Sequence, residues 1–555
     1  MSGGSRERGG VPRGDEYDHR ANRAHRLDTL NPMATQNTSM SSLEVDILVI
    51  GGGSTGVGVA RDAILRGFST VLVERRDLAD GTTGRFHGLL HSGGRYAVKD
   101  PPAARECIAE NRILRVTAAD CIEDTGGMFV STPWDDPEYG DQFLQGCRAT
   151  GVPAEEIPVA EALRREPRVN PDIRRAFLVP DASLDPWKLV WGCARSAEEH
   201  GARILPYHRV LDLEVDGDRV MGAHVRSERS GEEFRIHATV VINAAGAWAG
   251  QIADLAHCAV NVRAGMGLMI AMNHRLVQMC VNRCKRPADG DILLPLRTAC
   301  VIGTTDVFVP DPDQTEIRQE DIDLLLDEGE KLVPGFRQAR ALHAWAGVRP
   351  LFEDTAQVAE TRDVTRSHAL LDHSAREGVA GFLTITGGKT TTFRLMAEAA
   401  VDAACEQLGG PRACSTAEVP LAGSESHALY QIGHRLAARE PVPQSEEIIC
   451  ECELITRARL EDTIKQRDTT SLDDIRRLLR LAMGPCQGGF CIYRAAGILH
   501  QDGNVDREGA NRTLLEFLEE RWKGVHPILH GDQLRQARLD DWIFQGILDV
   551  EHLPV

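Results

Sequence analysis

Between positions 45 and 400, short apolar runs alternate with amphipathic stretches, the pattern of strands and helices wound into an α/β fold. The first run, Val45-Asp46-Ile47-Leu48-Val49-Ile50, predicts a buried parallel strand. It opens into Gly51-Gly52-Gly53-Ser54-Thr55-Gly56 and a helical stretch through Ala60, Ala63 and Ile64 that ends near Gly67. Thr70-Val71-Leu72-Val73 predicts a second strand, closed by Glu74, which completes a βαβ unit. Nothing repeats internally. Gly409 to Pro443 is rich in Gly, Ser and Pro and predicts a linker. Beyond it, Thr456 can cap a helix carrying Leu460 and Ile464. Ser471 can cap a second with Leu472, Ile475, Leu478 and Leu479 on one face, and a third starts at about Cys491 and runs through Ala495, Ile498 and Leu499. The expected organisation is a disordered extension over 1–42, a main α/β part over 43–408, a linker over 409–444, a cysteine-bearing module over 445–500 and a helical tail over 501–555 with Trp522 and Trp542.

Composition narrows this little. A hydrophobic content of 42% and a charged content of 26% in 555 residues suit a soluble protein of two or more domains. There is no apolar run of about 18 residues to span a membrane. The polar stretch Met1–Ser41 has no apolar core, so no signal peptide is expected, and Met33 and Met40 are alternative starts. The net charge of −19 and the absence of a basic stripe argue against nucleic-acid binding. Lysine is scarce, with 7 against 56 arginines, which fits codon bias or a salt-adapted source.

The cysteines change the picture. Of 14 in the chain, four fall within 42 residues as Cys450-x-Cys452 and Cys486-x4-Cys491, with 33 residues between the pairs. In a reducing compartment such clustering means metal or redox chemistry rather than disulfides. Four thiolates on loops and helix starts suit an iron–sulfur centre. Zinc fits less well, because Cys-x-Cys is cramped for a structural zinc site. A 2Fe–2S cluster on four thiolates carries about −2 of charge. Helix N-termini and Arg476, Arg477 and Arg494 are the expected counter-charges. Cys280 and Cys284 lack a second pair and read as ordinary core cysteines.

At the other end, Gly51-x-Gly53-x-x-Gly56 lies between a strand and a helix, where free N–H groups attract a pyrophosphate. Glu74, 23 residues after Gly51, stands where a carboxylate can accept hydrogen bonds from a ribose diol. The fingerprint alone does not separate FAD from NAD. Three further stretches do so by resemblance: Gly81-Thr82-Thr83-Gly84-Arg85-Phe86-His87-Gly88-Leu89-Leu90-His91-Ser92-Gly93-Gly94-Arg95-Tyr96, Val241-Ile242-Asn243-Ala244-Ala245-Gly246-Ala247-Trp248, and Ile385-Thr386-Gly387-Gly388-Lys389-Thr390-Thr391-Thr392. They resemble the FAD-binding motifs of the D-amino-acid-oxidase-like superfamily, and within it the FAD-dependent glycerol-3-phosphate dehydrogenases. The cysteine module is similar to the bacterioferritin-associated-ferredoxin-like domain and narrows the resemblance to the large catalytic subunits of the anaerobic branch. The likeness runs from about Val45 to about Leu548.

The resemblance implies an α/β fold: a FAD-binding Rossmann-like domain, an interleaved α+β substrate domain and a small helical 2Fe–2S domain. It implies FAD contacts from Gly51, Gly53, Ser54, Thr55, Gly56, Glu74, Thr82, Thr83, Gly88, Leu89, Ala245, Gly246, Gly387, Gly388, Lys389 and Thr390, and cluster ligation by Cys450, Cys452, Cys486 and Cys491. The implied reaction oxidises sn-glycerol 3-phosphate to dihydroxyacetone phosphate, with a base taking the C2 hydroxyl proton and hydride passing to the flavin. His91 is the expected base and His87 its rival; Arg95, Tyr96, Arg349 and Lys389 complete the catalytic set. Electrons are then expected to leave through the cluster to B- and C-type partner subunits and a quinone. That places the chain in the cytoplasm, peripheral on the inner face of the cell membrane. Met266 stands where the family leads one to expect lysine, so a charged contact from that strand is in doubt. Thr304-Thr305-Asp306 and Pro180 to Pro186 match the family without an assigned step. Two other readings stay open on sequence: an amine-type dehydrogenase acting on an opine or hydroxyproline, and a non-catalytic iron–sulfur relay.

Overall fold

The computed structural model describes residues 42–353, 364–432, 446–467, 469–531 and 533–555. Residues 1–41 of the expected extension, 433–444 of the expected linker and 445 of the expected cysteine-bearing module lie outside the described residues; Ser42 opens the first strand, and Leu421 of the expected linker is buried in the main core.

Strand β1 (Ser42–Ile50) is buried over its last four residues and lies in the parallel middle of an eight-stranded mixed sheet. On one side it pairs with β2 (Thr70–Val73), which pairs in turn with Arg203–Leu205. On the other side it pairs with Glu233–Asn243, which pairs with Phe382–Gly387. Helix α1 (Ser54–Leu65) joins β1 to β2 and packs on the helices Pro186–Glu199 and Phe393–Gln407. A methyl group on Gly58 would lie 3.0–3.1 Å from Phe393 and Ala397, so the small residue sets how closely those helices approach. The core between sheet and helices includes Ile47, Val49, Leu72, Val240 and Leu383, all buried. Each such side chain stabilises the fold by roughly 1.5–3 kcal/mol.

A second, nine-stranded, mostly antiparallel sheet carries the other half of the main domain. Its spine is the long pair Val262–Met272 and Ala341–Phe352, registered so that Gly265 faces Arg349 and Gly267 faces Gly347. A three-stranded sheet of Leu89–Leu90, Ile122–Glu123 and Ala182–Leu184 holds the loop leading to His91.

In the C-terminal part the helices Arg457–Arg467, Leu472–Leu479 and Ile492–Gln501 follow the sequence pattern. Thr456 Oγ1 accepts from Arg459 N, and Ser471 Oγ accepts from Asp474 N. The tail shares one apolar core with the cysteine-bearing segment: Leu514, Phe517, Ile543 and Phe544 cluster with Ile449, Leu460, Ile475 and Leu499. This unit is tied to the main domain by Arg477 to Asp77 (3.0 Å) and by Tyr207 Oη donating to Asp474 (2.5 Å). The helix Arg507–Val525 leans on Ala341–Phe352, where a methyl on Gly524 would meet the His343 ring at 1.9 Å. Among the described residues no helix is long and apolar enough to cross a membrane.

Candidate active site and metal centre

The turn after β1 is shaped by contacts that forbid side chains. Gly51 has φ +113°, and a methyl group there would lie 2.7 Å from the Ala244 carbonyl. On Gly56 it would lie 1.8 Å from the Gly51 carbonyl, so α1 can start this close to β1 only with glycine. At Gly53 a methyl would meet Thr83 Oγ1 at 3.1 Å and nothing else within 4 Å among the described residues, which leaves an open approach above the helix start. Thr83 Oγ1 also accepts from Ser54 N (3.0 Å), and Thr55 Oγ1 lies 3.9 Å from the Met396 sulfur. Glu74 accepts from Gly52 N (2.7 Å) and Arg76 N (2.9 Å), which fixes its carboxylate beside the turn. Ala244 N donates to Ile50 O, and Asn243 steadies the next loop by accepting from Ala245 N (3.2 Å). Gly246, with φ +57°, has open space where a side chain would be. An open, glycine-lined cradle at a helix N-terminus with a fixed carboxylate beside it suits the pyrophosphate and ribose of FAD.

Next to this cradle is a cavity of about 360 Å3. His91, Arg95, Tyr96, Arg349 and Lys389 all line it, although they are spread over 299 positions. Thr82, Leu89, Gly388 and Thr390 line it as well, so the cradle and the cavity share a wall. Gly88, with φ +93°, turns the chain there, and its carbonyl accepts from Leu184 N (2.7 Å). Gly387 (φ +77°) and Gly388 (φ +65°) present Lys389, whose Nζ donates to Arg366 O (2.7 Å) and lies 5.0 Å from the Tyr96 ring centre.

Two histidines face this space. Burial, with the charges of Arg95 and Arg349, pushes His87 down to about 3. Burial, then His87, Arg95 and Lys389, holds His91 well below the ordinary imidazole value. Both rings are therefore neutral at physiological pH. The tautomer of His87 is fixed: its Nδ1 accepts from Leu89 N (3.1 Å), which leaves the proton on Nε2 and makes that atom a donor. His91 is anchored by its backbone, N to Thr391 Oγ1 (3.1 Å) and O from Asn111 (3.2 Å), with its ring 5.2 Å from that of Tyr96. Burial pushes the Tyr96 phenol up to about 12, so it stays protonated and able to donate.

The cations are held in place by acids behind them. Arg95 pairs with the fully buried Asp291 at 2.8 Å. Arg349 pairs with Asp306 at 2.8 Å and donates to Thr304 Oγ1 (2.5 Å) and Thr305 O (2.7 Å), so the Thr304-Thr305-Asp306 stretch buttresses this arginine. Asp181 accepts from Ser92 N (2.6 Å), which braces the loop after His91, and Asp185 caps the helix that follows. Met266 is buried among Ala264, Ala346 and Val348, and charge at this sheet comes instead from Arg349 on the neighbouring strand. Sequence reasoning missed Arg366, a further cavity-lining cation 3.8 Å from Asp306. It sits in no motif, and only its neighbour across the fold gives it away.

The four cysteines converge at the other end. Cys450 and Cys491 are buried, whereas Cys452 and Cys486 are half-buried, with their sulfurs 3.7 Å apart. A methyl on Gly484 would lie 2.2 Å from Cys452 Cβ, so the loop can bring the two pairs together only with glycine there. Cys450 meets Cys491, Cys491 meets Cys486 and Cys486 meets Cys452, and these four linked thiols match the donor set of a 2Fe–2S cluster. Two of the expected counter-charges are engaged elsewhere: Arg476 pairs with Asp473, and Arg477 with Asp77 and Asp474. Arg494 instead grips the carbonyls of Ile448 (2.7 Å) and Ile449 (3.1 Å), beside Cys450. Cys280 and Cys284 are buried apart from this group, with thiols pushed up by burial. A bridge of charges joins the cysteine-bearing unit to the main domain: Arg480 lies 3.8 Å from Glu453 and 3.9 Å from Asp185.

Fold and site together define a flavin-dependent oxidoreductase with an appended iron–sulfur unit. Residues 46–394 match the FAD dependent oxidoreductase family, and residues 448–501 match the BFD-like 2Fe–2S binding domain. The chain is 42% identical over 527 residues to the A-type subunit of the anaerobic glycerol-3-phosphate dehydrogenase of Escherichia coli K12, covering 91% of this chain and 97% of the relative. It is also 42% identical to the A1-type counterpart from Haloferax volcanii, over 92% of this chain and 91% of the relative. Glycerol-3-phosphate dehydrogenase from Bacillus halodurans, solved with FAD, shares the fold at 20% identity, with a TM-score of 0.62 over 89% of this chain and 97% of that one. The chain belongs to the family of A-type subunits of anaerobic glycerol-3-phosphate dehydrogenase and is an FAD enzyme that also carries a 2Fe–2S cluster.

Proposed function

We propose that this enzyme oxidises sn-glycerol 3-phosphate to dihydroxyacetone phosphate and sends the electrons through a cluster on Cys450, Cys452, Cys486 and Cys491 to B- and C-type partner subunits and a quinone. It would work on the inner face of the cell membrane. The observation that carries this reading is the cavity lined together by Arg95, Arg349, Arg366, Lys389 and a neutral His91. The substrate is the one for which the relatives are named. A phosphate dianion fits that wall, with Arg349 as its main partner and Arg95 and Arg366 at its sides. A protonated amine would meet like charge there, which disfavours an opine- or proline-type substrate.

In this reading His91 receives the proton of the C2 hydroxyl, because its ring is neutral, whereas the Nε2 of His87 already carries a proton. Tyr96, held protonated, donates to a substrate oxygen. Lys389, beside the flavin-facing glycines, supplies a positive charge. FAD, when bound, is the two-electron acceptor for the C2 hydride. The nucleotide contacts are assigned to Gly51, Gly53, Ser54, Thr55, Gly56, Glu74, Thr83, Ala245 and Gly246, and the wall shared with the ring to Thr82, Gly88, Leu89, Gly387, Gly388 and Thr390.

The test separates the two halves of the route. Cys486→Ser should leave flavin bleaching by glycerol 3-phosphate intact under anaerobic conditions, abolish quinone reduction in the assembled complex, and be rescued by a dye that reaches the flavin directly. Unimpaired quinone reduction without a cluster would defeat the relay.

A further inference from the structure

The loop that carries Cys486 is gripped from two sides by arginines that belong to other elements. Arg340, just before the strand Ala341–Phe352, donates to the Pro485 carbonyl. Arg521, on the helix Arg507–Val525, donates through Nε to the Gln487 carbonyl at 2.6 Å. Arg521 also pairs with Asp540, and both of those side chains are almost wholly buried. Arg340, Gln487, Arg521 and Asp540 line one small cavity behind the loop. The Arg340 guanidinium interacts electrostatically with Cys486 and Cys452, and with Asp540 and Arg521.

The acids flanking the first cysteine pair are already met by cations, Glu451 by Arg494 at 3.3 Å and Glu453 by Arg480 at 3.8 Å. Behind the second pair stand two positive charges, Arg340 and Arg521, and the negative charge of Asp540. A four-thiolate 2Fe–2S cluster goes from about −2 to about −3 when it takes one electron. A fixed positive charge in a partly buried setting stabilises the more negative, reduced form.

We propose that Arg340, Arg521 and Asp540 form a charge group that sets the reduction potential of the cluster, the two arginines favouring its reduced state and the aspartate opposing them. This rests on the assignment of the cluster to Cys450, Cys452, Cys486 and Cys491. The group also ties the electron exit to the substrate site, since the strand that starts after Arg340 carries Arg349 nine residues on.

The experiment is a redox titration of the full-length holoenzyme, followed by the electron paramagnetic resonance of the reduced cluster. Arg340→Gln keeps an N–H for the Pro485 carbonyl but removes the charge. It should shift the one-electron equilibrium about tenfold toward the oxidised cluster, or about 59 mV lower. Arg340→Lys should stay near wild type. Asp540→Asn should shift the potential the opposite way, upward. Structural damage does not produce shifts of opposite sign, so two variants moving together, or neither moving while the 2Fe–2S signal persists, would overturn the proposal. If Arg340→Gln fails to hold a cluster, the direction of the Asp540→Asn shift decides alone. A wild-type enzyme without any 2Fe–2S signal would instead refute the underlying cysteine assignment.

Discussion

The groups around the flavin-facing cavity come from Thr82 to Thr391, whereas the four thiols come from 42 consecutive residues. The cavity is walled by strands and turns of two sheets, its histidines are kept neutral by burial, and its cations are backed by enclosed acids. The cysteine centre sits on the end of a short strand, two turns and a helix start, with two of its four cysteines only half-buried. The contrast follows the chemistry. Hydride and proton transfer need an enclosed, preorganised site from which water is excluded. The proposed relay, which passes single electrons to another protein, needs its centre near the surface. One chain therefore builds a deep site from distant residues and a shallow one from local residues, and Arg480, Asp185 and Glu453 hold the cysteine-bearing unit against the main domain.

The largest expected effect tests whether the two ends are separable. Gly56→Ala puts a methyl 1.8 Å from the Gly51 carbonyl, so flavin released by acid should fall to background while the 2Fe–2S signal survives. Joint loss of both cofactors would show that the ends form one cooperative unit. Next, Arg349→Ala should cost roughly 2–5 kcal/mol of transition-state stabilisation, about thirty- to several-thousandfold in kcat/KM for glycerol 3-phosphate. Glycerol should be a poor substrate for the wild type, and equal rates with both would show that the phosphate is not what the cavity recognises.

His91→Gln should lower kcat by roughly 10²–10⁴-fold without lowering flavin content. Because His91 titrates well below the ordinary imidazole range, the wild-type kcat/KM should not fall as pH drops through 6.5. An acid limb centred there would assign the base elsewhere. The smallest effect is on stability, at the seam between the regions. His343, enclosed under Gly524, is pushed down to about 3 by burial, so it stays neutral when folded but gains a proton when unfolded below 6.5. Its contribution is complete above pH 6.5 and is lost as pH falls toward 3, by up to about 1.4 kcal/mol per pH unit. His343→Asn should flatten that slope in urea unfolding at pH 7.5 and 5.5.

What could be read from the chain alone was local. The alternation at 45–73 specifies strand, turn and helix, because period-2 and period-3.6 burial are properties of neighbouring residues. Thr456 and Ser471 announce their helices for the same reason. The motifs around Gly81 to Tyr96 and Gly387 to Thr392 pointed to a flavin family, and the spacing of the cysteines to a cluster. Arg366 was not legible, nor was the buttress of Arg349 by Asp306 or the grip of Arg340 and Arg521 on the cysteine loop, since each joins elements far apart in sequence. Arg476, Arg477 and Arg494 looked from the sequence like counter-charges for the cysteines. Yet Arg477 is turned to Asp77 by the docking of the module, because a partly buried charge goes to whatever opposite charge packing brings within reach. The sequence by itself determined which redox groups the chain can hold, since spacing and backbone freedom at a few glycines are local facts. Which charges face those groups, and which imidazole is free to take a proton, was decided only by the tertiary structure, because burial and electrostatic contact depend on distance in space.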